Sequence, residues 1–131
     1  MRTFTTSPTL DEFAVMARQA LETIPAALRQ RIDDVVLRVE DLPDEEVIDE
    51  MGLESPFELL GLYMGTPFGD KVMADTATQP DMIFLYRRPI LDHWCEADYV
   101  LFDIVRNVLI HEIGHHFGLS DDDMDRLERM E

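Results

Sequence analysis

Two repeats of apolar positions, one helical and one alternating, set out the elements of this chain. Leu10, Phe13, Ala14, Ala17, Ala20, Leu21 and Ile24 recur at helical spacing behind Ser7 and Pro8, a cap and first-turn pair, and predict a helix over roughly residues 8 to 23. Pro25 opens a short second turn through Arg31. From Asp34 to Glu40 the period changes to two, with Val35, Leu37 and Val39 on one face and Val36, Arg38 and Glu40 on the other, which predicts a strand with one buried face. Pro43 begins an acidic helix that Gly52 closes. Leu59 to Met64 and Met82 to Arg87 read as two further strands, the second stopped by Pro89. Between them, residues 65 to 80 form the loop expected to move most.

The longest signal lies near the C-terminus. From Asp98 to His111 the chain has no Pro or Gly, and Leu101, Ile104, Val105 and Val108 share one face. A half-buried helix of about twenty residues follows from that pattern. The order is helix, strand, helix, strand, strand, long helix. It predicts one α+β domain over residues 1–131, with a short sheet of three to four strands packed against helices.

Composition narrows the function classes. A 46% hydrophobic content supports a packed core, and the 131 residues fit a single one. Net charge is -17 with one lysine, which excludes recognition of nucleic acid through its phosphates. Between Val39 and Asp70 there is no Lys or Arg but ten acidic residues, read as a solvated face rather than a steering surface for basic partners. No segment has the length or apolarity of a signal peptide or membrane span, and the lone Cys95 has no disulfide partner. These features predict a cytoplasmic protein without a membrane partner, with Cys95 a small buried residue.

One segment specifies chemistry. His111-Glu112-Ile113-Gly114-His115-His116-Phe117-Gly118-Leu119-Ser120-Asp121 reads His-Glu-x-x-His-x-x-Gly-x-x-Asp. On a helix, residues four apart share a face, so His111 and His115 can grip one ion. Glu112 lies one residue further round, placed to take a proton from an ion-activated water. Catalytic zinc takes three protein ligands. Gly118 permits a left-handed turn that brings Asp121 back towards the ion as the third. Chance gives the first five positions in roughly one chain in a hundred of this composition, and the extended motif in about one in ten thousand. Gly114, costly inside a helix, is expected to serve close packing.

The chain resembles the minimal zincin-like metallopeptidases, short bacterial proteins related at the motif to metzincins. Beyond the motif, Pro56-Phe-Glu-Leu-Leu-Gly-Leu-Tyr63 and Ile83-Phe-Leu-Tyr-Arg-Arg-Pro-Ile90 are similar to that family's two other recurrent segments, so the likeness runs from about Leu10 onward. The resemblance implies a small zincin-like fold with the active-site helix near the C-terminus. It also implies Zn2+ held by His111, His115 and Asp121, with Glu112 as general base and a peptide or protein as substrate. Larger metzincins carry a third histidine and a methionine turn. Here Asp121 stands in the histidine's place, and Met124 and Met130 lie too close to the motif to form such a turn.

Several residues have competing readings. Ser120 can cap a terminal helix through Asp123, Met124, Leu127 and Met130, in which case Asp121 to Asp123 only complement its dipole. His116 points about 100° away from the liganding face and reads as a packing or supporting residue. His93 reads as a loop histidine with a possible place in the cleft. Tyr63 and Tyr86 read as strand packing, and Arg87 and Arg88 as ion pairs, against carbonyl polarisation. Zinc proteases hold substrate as an added strand, so one edge near Leu59–Met64 or Ile83–Arg87 is expected to receive it. Two functions follow: a zinc-dependent metallopeptidase, or a non-proteolytic zinc-binding module that engages a partner.

Overall fold

A computed structural model of the chain describes residues 7–32, 34–65 and 81–129. Beyond Gly65, the expected loop over residues 65 to 80 lies outside the described residues, as do the first six residues and Met130. Helix α1 is Leu10–Glu22, followed by α2, Ala26–Arg29, and a 3-10 turn, Gln30–Ile32. Strand β1 is Val36–Glu40, α3 is Glu45–Met51, and a second 3-10 turn, Pro56–Glu58, leads into β2, Gly61–Met64. Strand β3 is Met82–Tyr86, and it is followed by α4, Arg87–Glu96, α5, Leu101–His116, and α6, Asp121–Arg129.

The helix ends follow local chemistry. Thr9, not Ser7, caps α1: its hydroxyl accepts from Glu12 N at 3.1 Å while the Glu12 carboxylate accepts from Thr9 N at 3.0 Å. That reciprocal pair satisfies two end donors at once, which the Ser7 and Pro8 start cannot do. Asp44 caps α3 by accepting from Val47 N at 2.9 Å, and Gly52 ends the helix at φ 66°.

The structure corrects the sequence reading after β3. Pro89 does not close that strand; it lies in the first turn of α4, a helix the sequence reading treated as a loop. A first-turn residue needs no intrahelical N–H donor, so proline fits there as well as at a strand end. His93 is therefore a helical residue, and Cys95 is exposed on the same helix rather than buried.

Among the described residues the sheet has three strands in the order β1-β3-β2, with β1 parallel and β2 antiparallel to β3. Helices α1 and α5 pack together and lie over this sheet. Phe13, Ala17 and Ala20 of α1 meet Ile83 and Leu85 of β3 and Val105, Leu109 and Ile113 of α5 in one core. Leu37 and Val39 turn towards that core and are half-buried, while Val36 and Arg38 face solvent, as the alternation predicts. The fold is α+β, with helices packed over a three-stranded sheet.

Candidate metal and active site

Helix α5 carries the site because its middle is locked into the core: Val105, Leu109, Ile110 and Ile113 are all 0% exposed. With that face fixed, His111, Glu112 and His115 are held at the helix end that emerges from the core. His111 and Glu112 are half-buried, and His115 is exposed. The two histidine rings lie with centroids 5.9 Å apart and planes tilted by 60°.

Two glycines set how closely neighbours approach this helix. A Cβ on Gly114 would lie 2.5 Å from Met124 Sδ, so α6 rests on α5 where only hydrogen fits. This agrees with the packing role expected for Gly114. On the opposite side a Cβ on Gly61 would lie 2.8 Å from Val108 Cγ1 and 3.1 Å from the Phe84 carbonyl oxygen, which places β2 against α5. The C-terminus of α5 closes with Leu119 N donating to Gly114 O at 2.8 Å and Gly118 N to His115 O at 3.2 Å, Gly118 having φ 73°.

Strand β2 reaches Glu112 directly. Tyr86 N donates to Leu60 O at 3.0 Å, so Leu60 and Leu62 turn their main-chain groups to β3, while Gly61 and Tyr63 turn theirs outward. The outward Tyr63 N–H donates to Glu112 Oε1 at 3.2 Å. Burial pushes the Glu112 carboxyl above its ordinary value of 4.5, against the opposing pull of His115, the Tyr63 N–H and His111. A carboxylate shifted in that direction is a better proton acceptor near neutrality.

A cleft of about 470 Å³ opens between β2 and α5. Leu60 and Gly61 form one wall, Asn107, His111 and Glu112 the other, and His93 and Glu128 also line it. Tyr99, 65% exposed, stands at its rim. His116 lies outside the cleft lining and stacks on Tyr63, with centroids 3.9 Å apart and planes 13° from parallel, while Tyr63 Oη donates to Asp81 Oδ2 at 3.1 Å. Burial and the nearby Asp81 raise the Tyr63 phenol well above its usual range, so it keeps its proton. Arg87 pairs with Asp41 at 3.1 Å and Arg88 lies over the Phe57 ring, and neither lines the cleft.

Asp121 is the first residue of α6 and is exposed; it does not line the cleft. Ser120 caps that helix, accepting from Asp123 N at 3.1 Å. Among the described residues no three His, Cys, Asp or Glu side chains converge closely enough to hold one ion. Two imidazoles on one helix face with a carboxylate in reach of the first nevertheless match zinc in donor chemistry. That carboxylate is Glu128, whose Oε1 lies 2.5 Å from His111 Nε2. The sequence reading did not select Glu128. Its available signal was its place four residues after Met124, on the buried side of an amphipathic terminal helix.

A sequence model described as zincin-like metallopeptidase matches residues 32–130. The chain belongs to the zincin-like metallopeptidase family. Membership carries zinc binding and a hydrolase class as family properties. No curated protein matches the chain. No helix among the described residues is long and apolar enough to cross a membrane.

Proposed function

We propose that the protein is a zinc-dependent peptidase with His111 and His115 as zinc ligands, Asp121 as the ligand nominated by the motif, and Glu112 as general base. The observation that carries this reading is the setting of Glu112: a half-buried carboxyl in the cleft, beside two histidines, hydrogen-bonded to the edge strand at 3.2 Å. Zinc, when bound, supplies Lewis acidity that makes water a nucleophile at neutral pH.

The chain's own groups account for the rest. Glu112, its proton affinity raised by burial, takes the proton from the attacking water and returns it to the leaving amine. The Tyr63 N–H holds one of its oxygens in place, leaving the other to work. Because β3 is central, β2 is the strand whose edge borders the cleft. An extended peptide would lie in the cleft along this border, beside Leu60 and Gly61. The proposed substrate is therefore a peptide or an unfolded protein segment.

The test is to measure zinc content and peptide turnover together. Wild-type protein is expected to carry about one zinc per chain and to cleave an unstructured protein or peptide library. Glu112→Gln is expected to abolish turnover with zinc content unchanged. Retained zinc with no cleavage across a broad library would favour the non-proteolytic zinc module, and absence of zinc would sink both readings.

A further inference from the structure

The cleft follows α5 for more than two turns, since Ile104, Asn107, Val108, His111 and Glu112 all line it at the spacing of one helix face. Asn107 is the odd member of that face. It is half-buried, yet its carboxamide has no hydrogen-bond partner among the described residues. Asparagine is a poor residue for a helix interior because its amide competes with the backbone, and here it neither caps an end nor bonds a carbonyl of the previous turn. Its direction is set by its neighbours. Val108 is buried, and Arg106, 7% exposed, donates from Nη1 to Glu128 O at 2.9 Å and from Nη2 to Leu127 O at 3.3 Å. So held, α5 keeps the amide in the cleft.

The other polar side chains of the cleft are either engaged or exposed. Glu58 accepts from Ser55 N at 2.8 Å, Glu112 accepts from Tyr63 N–H, and Glu128 meets His111. His93 and Tyr99 are exposed. The outward Tyr63 N–H of β2 is therefore already spent on Glu112 and is not open to a substrate carbonyl. A peptide that enters the cleft gives up water at its own N–H and C=O groups, and each one left without a partner costs affinity. In an extended chain the N–H and C=O of one residue point to the same side. A carboxamide presents an acceptor and a donor together and answers both.

We propose that Asn107 binds the main chain of the peptide substrate, with Nδ2 donating to a carbonyl and Oδ1 accepting from an N–H, about two residues from the bond that is cut. The assignment rests on the peptidase reading above and adds to it a substrate-binding residue and a register. Asn107 precedes His111 by four residues and Glu112 by five, about 6 and about 7.5 Å along the helix at roughly 1.5 Å per residue. An extended peptide advances about 3.3 Å per residue, so the span is roughly two residues. The contact selects an extended main chain, not a side chain.

The experiment uses the zinc-loaded full chain and the peptide that wild type cleaves best from the library. Wild type, Asn107→Ala and Asn107→Leu are compared for kcat/KM, zinc content and metal-free melting. Each main-chain N–H of the peptide outside the scissile bond is then replaced in turn by an ester oxygen, which removes one donor and alters no side chain. Both variants are expected to lose roughly 10- to 30-fold in kcat/KM, the worth of two such hydrogen bonds. Zinc content should be unchanged and melting temperature not lowered, since alanine and leucine are better helix formers than asparagine. One ester, two residues from the scissile bond, should cost wild type about 3- to 10-fold and the two variants less than about twofold. Equal ester effects in wild type and variants at that distance, or no loss in Asn107→Ala, overturn the assignment while leaving the peptidase reading intact. A loss in Asn107→Leu alone is obstruction of the cleft and overturns it as well. A wild-type protein that cleaves no peptide of the library overturns both.

Discussion

At Glu112 one carboxyl experiences opposing pressures, and their balance sets a testable pH dependence. Burial favours its neutral form, while two histidines and the Tyr63 N–H favour the anion; burial is the largest of these, and the folded-state pKa lies above 4.5. In the window between that ordinary value and the raised one, the folded state binds more protons than the unfolded chain. The contribution of Glu112 to stability therefore falls as pH rises through that window. Glutamine keeps an acceptor for Tyr63 N–H but has no charge to bury. In chelator, the melting temperature of Glu112→Gln is expected to equal that of wild type below the ordinary glutamate range and to exceed it increasingly as pH rises through that window. A difference that stays constant with pH would contradict the burial argument. Much at this scale was legible beforehand: His111, Glu112 and His115 stood out because helical spacing alone puts them together. Glu128 did not, because an acid on a short helix looks like solvent-facing charge until Arg106 and Met124 show which way the helix is turned.

Among the elements, the contacts of α5 with β2 and with α6 decide whether the cleft exists. Gly61 sits where a side chain would strike Val108 and the Phe84 carbonyl. Gly61→Val is expected to cost about 1–3 kcal/mol through overpacking. It should also lower kcat/KM by displacing the strand that borders Glu112, which thermal melts and peptide kinetics would show together. On the other side, Arg106 donates to carbonyls at the ends of α1 and α6. Replacement by methionine fills the volume but leaves those acceptors without their donor, for an expected loss of roughly 2–4 kcal/mol in denaturant unfolding. A loss below about 1 kcal/mol would mean that water replaces the guanidinium. Most elements were readable from periodicity and caps: α1, β1, α3, β2 and α5 lie close to their expected spans. Helix α4 was not, because Pro89 serves equally to end a strand or to occupy a first helical turn, and the choice depends on what packs against Ile90 in the core.

For the whole molecule, a charge of -17 on 131 residues makes self-repulsion a general load on the compact state. Raising salt from about 10 mM to about 150 mM shortens the screening length from roughly 30 Å to roughly 8 Å. Metal-free melting temperature is expected to rise over that range by a few degrees, about 1 kcal/mol in effect. A flat response would show that acidic groups are already neutralised by local pairing. The sequence by itself determined the fold class, the family and the pair of histidines with their glutamate. Each of these rests on local periodicity or on residues within one helical turn. Only the tertiary structure decided that β2 borders the cleft, that His116 stacks on Tyr63, and that Glu128 rather than Asp121 stands at His111. Those are contacts between distant segments. They depend on how closely helices and strands approach, which here is governed by Gly61, Gly114 and the buried guanidinium of Arg106 rather than by spacing along the chain.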